Sequence, residues 1–222
     1  MPITLYFDGA APSSRIALAV AKAVGVDVIV KKIDLASKEH LREDYLKLNP
    51  QHTVPTLIDN DFILWDSHAI ATYLASQYGK DDSLYPKDPK KRAVVIQRLF
   101  FNEGVLYSRL RAVGTPLYFG LKTTVDRDKK DALYEALDFL EKFLERTGWV
   151  AGDHATIADI ACAVTASSIE AIGADLSGFP KTRDWLGRCR KSIRGFREAD
   201  DEGARFLGET IRGRLQPHQL DR

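Results

Sequence analysis

Cysteine is scarce in this chain, and the scarcity removes several chemistries at once. Cys162 and Cys189 are the only two, they lie far apart, and no CxxC pair exists. A disulfide framework and a dithiol redox centre are both unexpected on that count. Net charge is lacking too: 32 basic residues face 31 acidic ones. That balance gives no global field to attract nucleic acid or a membrane surface. The densest basic run, Lys87 to Arg92, reads as a solvated linker and helix start rather than a phosphate site. No apolar run approaches the roughly 18 residues of a membrane span, and no signal-peptide pattern precedes the first strand. The expected compartment is therefore the reducing cytoplasm.

What is present is the material of a packed protein. The 222 residues are 45% hydrophobic and 28% charged, enough for one large domain or two small ones with a real core. Ile3 to Phe7 reads as a buried strand. Pro12 suits the first turn of a helix, where its missing N–H costs nothing. Ile16, Val20 and Ala23 then recur at helical spacing, and Gly25 stops the run. Val26 to Ile33 is a second, β-branched strand, so the unit is β-α-β with parallel pairing and a right-handed crossover.

A polar helix is expected from about Lys38 to Leu48. "VPTLID" and "FILW" follow as two strands of a hairpin around Asp59, Asn60 and Asp61. Asp66 or Ser67 caps a further helix whose inner stripe is Ile70, Tyr73 and Leu74. The order β-α-β-α-β-β-α describes a small α/β layer of thioredoxin-like arrangement. Pro55 stands at a strand start, where a missing donor is tolerated. A cis Val54–Pro55 bond would turn the backbone of Val54 outward, although cis accounts for only about 5% of X-Pro bonds.

The stretch "LKLNPQHTVPTLIDNDFILWDSHAIATYLASQYG", Leu46 to Gly79, resembles the glutathione site of cytosolic glutathione transferases. "NPQHTVPTL" and "DSHAI" are similar to the insect delta and epsilon classes, and "GVLYSRLRAV", Gly104 to Val113, leans toward epsilon. The resemblance covers nearly the whole chain. It implies a thioredoxin-like glutathione-binding domain over 1–80, a linker over 81–91 and an all-helical domain over 92–222. It implies a homodimer, glutathione as co-substrate and no metal.

The family's binding residues carry over by position. Asp66 and Ser67 resemble the pair that grips the γ-glutamyl end: carboxylate to ammonium, hydroxyl and helix N–H groups to carboxylate. Val54, ahead of Pro55, resembles the residue whose backbone pairs with the cysteinyl backbone, one step of strand addition. His40 and His52 resemble the pair near the glycyl carboxylate. His68 could assist at the γ-glutamyl end or reach a subunit interface. Singly, each has a plainer reading: an isolated His is usually a surface residue, and Asp-Ser before a helix is usually a cap.

The first turn departs from the resembled pattern. In those classes a serine stands four residues before the arginine of the first helix, and its hydroxyl stabilises the thiolate. Counting back four from Arg15 gives Ala11. Bringing a thiol from about 8.5 to about 6.5 takes roughly 2.7 kcal/mol. A hydrogen bond to a charged group supplies about 1.5–3 kcal/mol, a helix N-terminus only about 0.3–1 kcal/mol. Either another donor replaces the serine or conjugation is weak. Ser13 is the better candidate and Ser14 the other, against a plain role in capping. Backbone N–H groups at Ala11 or Ser13 are a further possibility.

Beyond the linker the chain reads helical. One long helix is expected from about Pro89 to Val113, broken by "GTPLYF". Another spans about Arg127 to Thr147, with Leu133, Leu137, Leu140 and Leu144 inward. Thr156 and Asp159 form a capping box that starts a buried helix through Ile172, which makes Asp159 structural. Cys162 is a buried small hydrophobe. Cys189, between Arg188 and Arg190, is expected on a helix surface, mildly acidic if exposed. "FPKTRDWLGRCRKSIRGF" and "DDEGARFLGETIRGRL" give two last helices, and "QPHQLDR" is expected to fray.

The resemblance also implies an apolar cleft between the domains for a small hydrophobic electrophile. Leu35, Tyr107, Leu110, Arg111, Tyr118, Phe119, Phe206 and Leu207 are its candidate lining, against the plainer reading of aromatics as core. The first functional reading is glutathione conjugation of hydrophobic electrophiles in detoxification. A protein that sequesters ligands with weak turnover, and a glutathione-dependent peroxidase or isomerase, are the alternatives that Ala11 invites.

Overall fold

The computed structural model describes residues 2–221. Strand β1 (Ile3–Phe7) and strand β2 (Val28–Lys32) pair in parallel, with Leu5 opposite Val30, across helix α1 (Pro12–Val24). Strand β3 (Thr56–Asp59) runs antiparallel to β1, and β4 (Phe62–Trp65) returns beside it through a turn at Asn60, φ 56°. The sheet order is β2-β1-β3-β4. Helix α3 (Ser67–Tyr78) packs on α1, joined by the fully buried Ile16, Val20, Ile70 and Leu74. These two helices sit over the buried Leu5 and Leu57 of the sheet, so the first half is the expected α/β layer.

The single polar helix expected over 38–48 is divided in two. Lys38 adopts a left-handed φ of 59°, a 3-10 turn covers Glu39–Leu41, and helix α2 is Glu43–Leu48. Tyr45 is the only residue of either piece that is buried, so no apolar stripe holds one continuous helix in place.

The second half is helical throughout: α4 (Pro89–Phe101), α5 (Ser108–Tyr118), α6 (Arg127–Thr147), α7 (Ile157–Ala171), α8 (Pro180–Ser192) and α9 (Phe196–Arg212). A π-helical stretch, Asn102–Tyr107, fuses α4 to α5. The expected break at Gly114 does not occur, and α5 runs on through Pro116 to Tyr118. Val113 and Leu117 are buried there, and that burial outweighs the roughly 3 kcal/mol intrinsic cost of an internal proline. Helix α9 begins at Phe196, ahead of the expected start, after Gly195 turns the chain with φ 67°.

Helix α7 is the spine of this half, with Ile157 to Ile169 buried throughout. Its capping box forms: Thr156 N–H donates to Asp159 Oδ2 at 2.9 Å, and Ala158 N–H to Thr156 Oγ1 at 3.2 Å. Asp159 Oδ1 also accepts from Val150 N–H (2.9 Å) and Trp185 Nε1 (3.0 Å), tying α7 to α8.

Two further expectations fail in this half. Cys189 is fully buried, and burial pushes its thiol well above the ordinary range, the neighbouring Arg188 and Arg190 notwithstanding. The arginines flank it in sequence, but its helix turns it toward the core. The tail is held over its described residues, 216–221: Tyr134 Oη donates to the Leu220 carbonyl at 2.5 Å, Gln216 N–H to Thr123 O at 2.9 Å, and Leu220 is buried; Arg222 lies outside the described residues. A lone leucine among polar residues finds an apolar seat on α6, which local composition does not reveal.

The halves are pinned together by charge. Arg15 on α1 and Asp200 on α9 are both wholly buried and meet at 2.5 Å. Arg15 Nη2 donates to Ser168 Oγ (2.7 Å), and Ser167 Oγ donates to Asp200 Oδ2 (2.5 Å). Helix α9 approaches the β1–α1 turn so closely that a Cβ on Gly203 would lie 2.2 Å from the Gly9 carbonyl.

Candidate active site

A cleft of about 360 Å³ opens between the sheet half and the helical half, within the size range of ligand pockets. One wall is the β1–α1 turn, made by Asp8, Ala10, Ala11, Pro12 and Ser13. Asp8 shapes it. Its Oδ1 accepts from Ala10 N–H (2.8 Å), its Oδ2 from Leu35 N–H (3.3 Å), and its own N–H donates to Ser14 Oγ (3.2 Å). Leu35 is thereby drawn to the cleft while Ser14, wholly buried, is turned out of it. Ala11 is the N-cap of α1 and brings no side-chain hydrogen bond.

The floor is the loop before β3. The Val54–Pro55 peptide is cis, and Val54 lines the cleft while Pro55 lies behind it. The loop is braced from beneath: Tyr45 Oη donates to Thr53 O (2.5 Å), and Asn49 Nδ2 donates to Thr53 O and to Thr56 Oγ1, both at 3.0 Å. The Val54 carbonyl is already engaged, accepting from Ser13 Oγ at 2.9 Å.

At one end of the cleft His40 and His52 face each other, ring centroids 6.1 Å apart. Burial and then the neighbouring His52 hold His40 below the ordinary imidazole range, and its Nδ1 is buried without a partner. His52 has φ 47°, which its loop imposes through His52 N–H donating to Asn49 O (2.9 Å). An imidazole pair with an unpartnered ring nitrogen on His40 suits an incoming carboxylate.

At the other end Asp66 caps α3. Its Oδ1 accepts from His68 N–H (2.9 Å) and Ala69 N–H (3.0 Å), which leaves Oδ2 to face the cleft. Asp66 adopts φ 74°, ψ 121°, a costly backbone conformation for a residue with a Cβ. Such an outlier beside a helix N-terminus points to a site where position matters more than backbone ease. Ser67 follows on the cleft wall, with Glu103 across from it. Burial and then the charge of Asp66 raise Glu103 above the ordinary carboxylate range, so two carboxylates converge where a cation would relieve them.

The apolar wall comes from the end of the π stretch, α5 with its C-cap, and α9: Tyr107, Leu110, Arg111, Tyr118 and Phe119 on one side, Leu207 and Ile211 on the other. Tyr118 and Phe119 pack edge to face with centroids 5.2 Å apart.

The structure thus brings together at one cleft Ser13, His40, His52, Val54, Asp66, Ser67, Leu35, Tyr107, Leu110, Arg111, Tyr118, Phe119 and Leu207. Three candidates fall outside its lining: Pro55, which follows the cis bond, Phe206 and His68. Phe206 is 54% exposed on α9, because Leu207, one residue on, takes the inward position. His68 lies behind the wall: Asn102 Nδ2 donates to its Nε2 (3.0 Å), and its Nδ1 lies 3.2 Å from Ser67 Oγ and 3.6 Å from Glu103 Oε2. It braces Ser67 against the π stretch, and burial keeps it below the ordinary imidazole range.

Residues that sequence reasoning passed over also line the cleft. Ile211 falls four residues after Leu207, so helical spacing could have found it, whereas Glu103 reaches the cleft from the π stretch. Gln51 and Trp65, joined through Trp65 Nε1 to Gln51 Oε1 at 2.7 Å, carry no comparable signal. Among the described residues no cluster of His, Cys, Asp or Glu could hold a metal ion, and no helix is long and apolar enough to cross a membrane.

Residues 1–76 match the family model described as glutathione S-transferase, N-terminal domain, and residues 122–188 the corresponding C-terminal domain. Glutathione S-transferase D7 of Anopheles gambiae is 41% identical over 97% of this chain and 100% of its own length. A delta-class glutathione transferase of Nilaparvata lugens superposes with a TM-score of 0.92 at 48% identity, covering 96% of this chain and 99% of that one. An epsilon-class glutathione S-transferase of the housefly, Musca domestica, does so with 0.90 at 43%, covering 96% and 98%. The likeness runs to both insect classes, so the lean toward epsilon alone is not carried by it.

Proposed function

The chain belongs to the glutathione S-transferase family, and on that premise we propose how this cleft carries out the family's reaction. The enzyme conjugates reduced glutathione, its co-substrate, to an electrophile, and its likeness is to the insect delta and epsilon classes. The observation that carries the assignment of parts is the layout of the cleft: carboxylates at one end, an imidazole pair at the other, and the Val54 backbone between.

Glutathione lies along that layout. Its γ-glutamyl ammonium meets Asp66 and Glu103, and the adjoining carboxylate takes Ser67 and the first turn of α3. The cysteinyl backbone adds to Val54 as a short strand. The glycyl carboxylate takes His40 and His52. This direction sets the sulfur at the N-terminus of α1, facing the apolar wall. There Leu35, Tyr107, Leu110, Tyr118, Phe119 and Leu207 hold a small hydrophobic electrophile, with Arg111 at its margin. Holding both reactants in one cleft supplies the orientation part of the rate.

On this reading residues 1–80 form the glutathione-binding domain, 81–91 the linker and 92–222 the domain that supplies the electrophile wall. The enzyme works in the cytoplasm as a homodimer, for which the exposed Val94 and Phe100 of α4 offer apolar surface (Phe100 is 73% exposed). Light scattering on the purified protein reads the dimer, with a monomer at micromolar concentration against it. Turnover of an electrophile panel with glutathione tests the function. Glutathione-dependent loss of at least one electrophile is expected; tight binding of hydrophobic dyes with no turnover of any would overturn the assignment. Neither the relatives nor the cleft favours sequestration or peroxidase chemistry over conjugation.

A further inference from the structure

The position in the turn that should activate the thiol has no side chain with which to do it. Ala11 ends in a methyl group, and its own N–H is committed to Asp8 O at 3.1 Å. Ser14 is buried and accepts from Asp8 N–H. Ser13 alone of the turn's hydroxyls faces the cleft, and its single proton is given to the Val54 carbonyl at 2.9 Å. That carbonyl is the acceptor which the cysteinyl N–H of glutathione takes on docking.

We propose that Ser13 replaces the hydroxyl absent at Ala11. Glutathione's cysteinyl N–H takes over the Val54 carbonyl, and the Ser13 hydroxyl rotates from that carbonyl to the sulfur. This inference rests on the docking of glutathione described above. No covalent bond to the hydroxyl breaks. The thiol proton leaves to solvent and the hydroxyl proton stays on its oxygen. The thiolate's electron pair forms the new carbon–sulfur bond as the electrophile's leaving group departs with its own pair, or as the electrophile's double bond takes up the displaced pair. The arrangement also makes the donor conditional: the Ser13 proton is released only when the tripeptide backbone occupies Val54.

The test follows the ultraviolet absorbance of bound thiolate against pH in the full-length protein, with S-methylglutathione affinity measured in parallel. Ser13→Ala should raise the bound thiol pKa by about one to two units, with S-methylglutathione affinity changed less than about threefold. The rate should fall about 10- to 100-fold below the thiol pKa and recover at high pH. Ala11→Ser in the Ser13→Ala background should bring the thiol pKa back down, which also shows that the variant folds. An unmoved thiol pKa in Ser13→Ala overturns the proposal while leaving the glutathione site standing. Failure of the wild type to bind S-methylglutathione would overturn both.

Discussion

Replacing Asp200 by alanine should destabilise the protein far more than any surface change, and the structure sets the size. Arg15 and Asp200 are both at zero exposure, and burial pushes the carboxylate up and the guanidinium down from their ordinary ranges. Each charge is tolerable only because the other is 2.5 Å away and two serine hydroxyls complete the cage. The cage is already imperfect, since Arg15 Nε has no partner. Removing Asp200 leaves a guanidinium in the interior with Ser168 and a backbone carbonyl as its remaining acceptors. Breaking one side of such a pair costs about 3–5 kcal/mol. At about 2–4 °C per kcal/mol for a chain of this size, Tm should fall by about 6–20 °C.

The double variant Arg15→Met, Asp200→Ala is the sharper half of this test. It removes the stranded charge and refills part of the volume, so it should recover much of the loss. The two single costs should therefore sum to more than the double cost by at least about 2 kcal/mol. Thermal and urea unfolding of the four proteins, all without glutathione, measure the cycle. Asp200→Ala costing under about 1 kcal/mol, or a double variant as unstable as the sum of the singles, would refute this account of the interdomain pin.

Three further outcomes follow. Gly203→Ala places a Cβ against the Gly9 carbonyl, so α9 or the β1–α1 turn must move; Tm should drop and glutathione affinity weaken together, and an unchanged Tm would contradict the close approach. Asp159→Ala strands the Thr156 and Val150 amides and Trp185 Nε1, and should cost about 3 kcal/mol or more in urea unfolding, with no change in the affinity of folded protein for glutathione. His40 sits below the ordinary imidazole range when the site is free, and a bound carboxylate raises it. Binding therefore takes up a proton, and S-methylglutathione, which has no thiol to titrate, should bind more tightly near pH 5.5 than at pH 8. An affinity flat over that range, or rising with pH, would remove the imidazoles from the glycyl end.

How much of this was legible in the sequence depends on whether the signal was local. The β-α-β opening, the hairpin at Asn60 and the Thr156–Asp159 capping box each rest on residues within a few positions of one another, and each formed. The path of α5 through Gly114 and Pro116 was not legible, because it is decided by the burial of Val113 and Leu117 against other helices. The seating of Leu220 on α6 and the inward turn of Cys189 are tertiary in the same sense. At the site, the charged ends were readable because a helix start and paired imidazoles have sequence forms. The π stretch was not, and it is what presents Glu103 and Tyr107 to the cleft at once. Nor could sequence show that the Ser13 proton is already taken by Val54, since the partners lie 41 residues apart.

The most direct test of the central claim, that the carboxylates beside the α3 N-terminus and the imidazole pair hold the two ends of one tripeptide, is calorimetric titration of glutathione into the wild type and Asp66→Ala. The wild type should bind with saturable heat below millimolar concentration, and the variant should lose at least about tenfold in affinity, about 1.4 kcal/mol, with its fold intact. Equal affinity in the two proteins, or no heat from the wild type at millimolar glutathione, would contradict it.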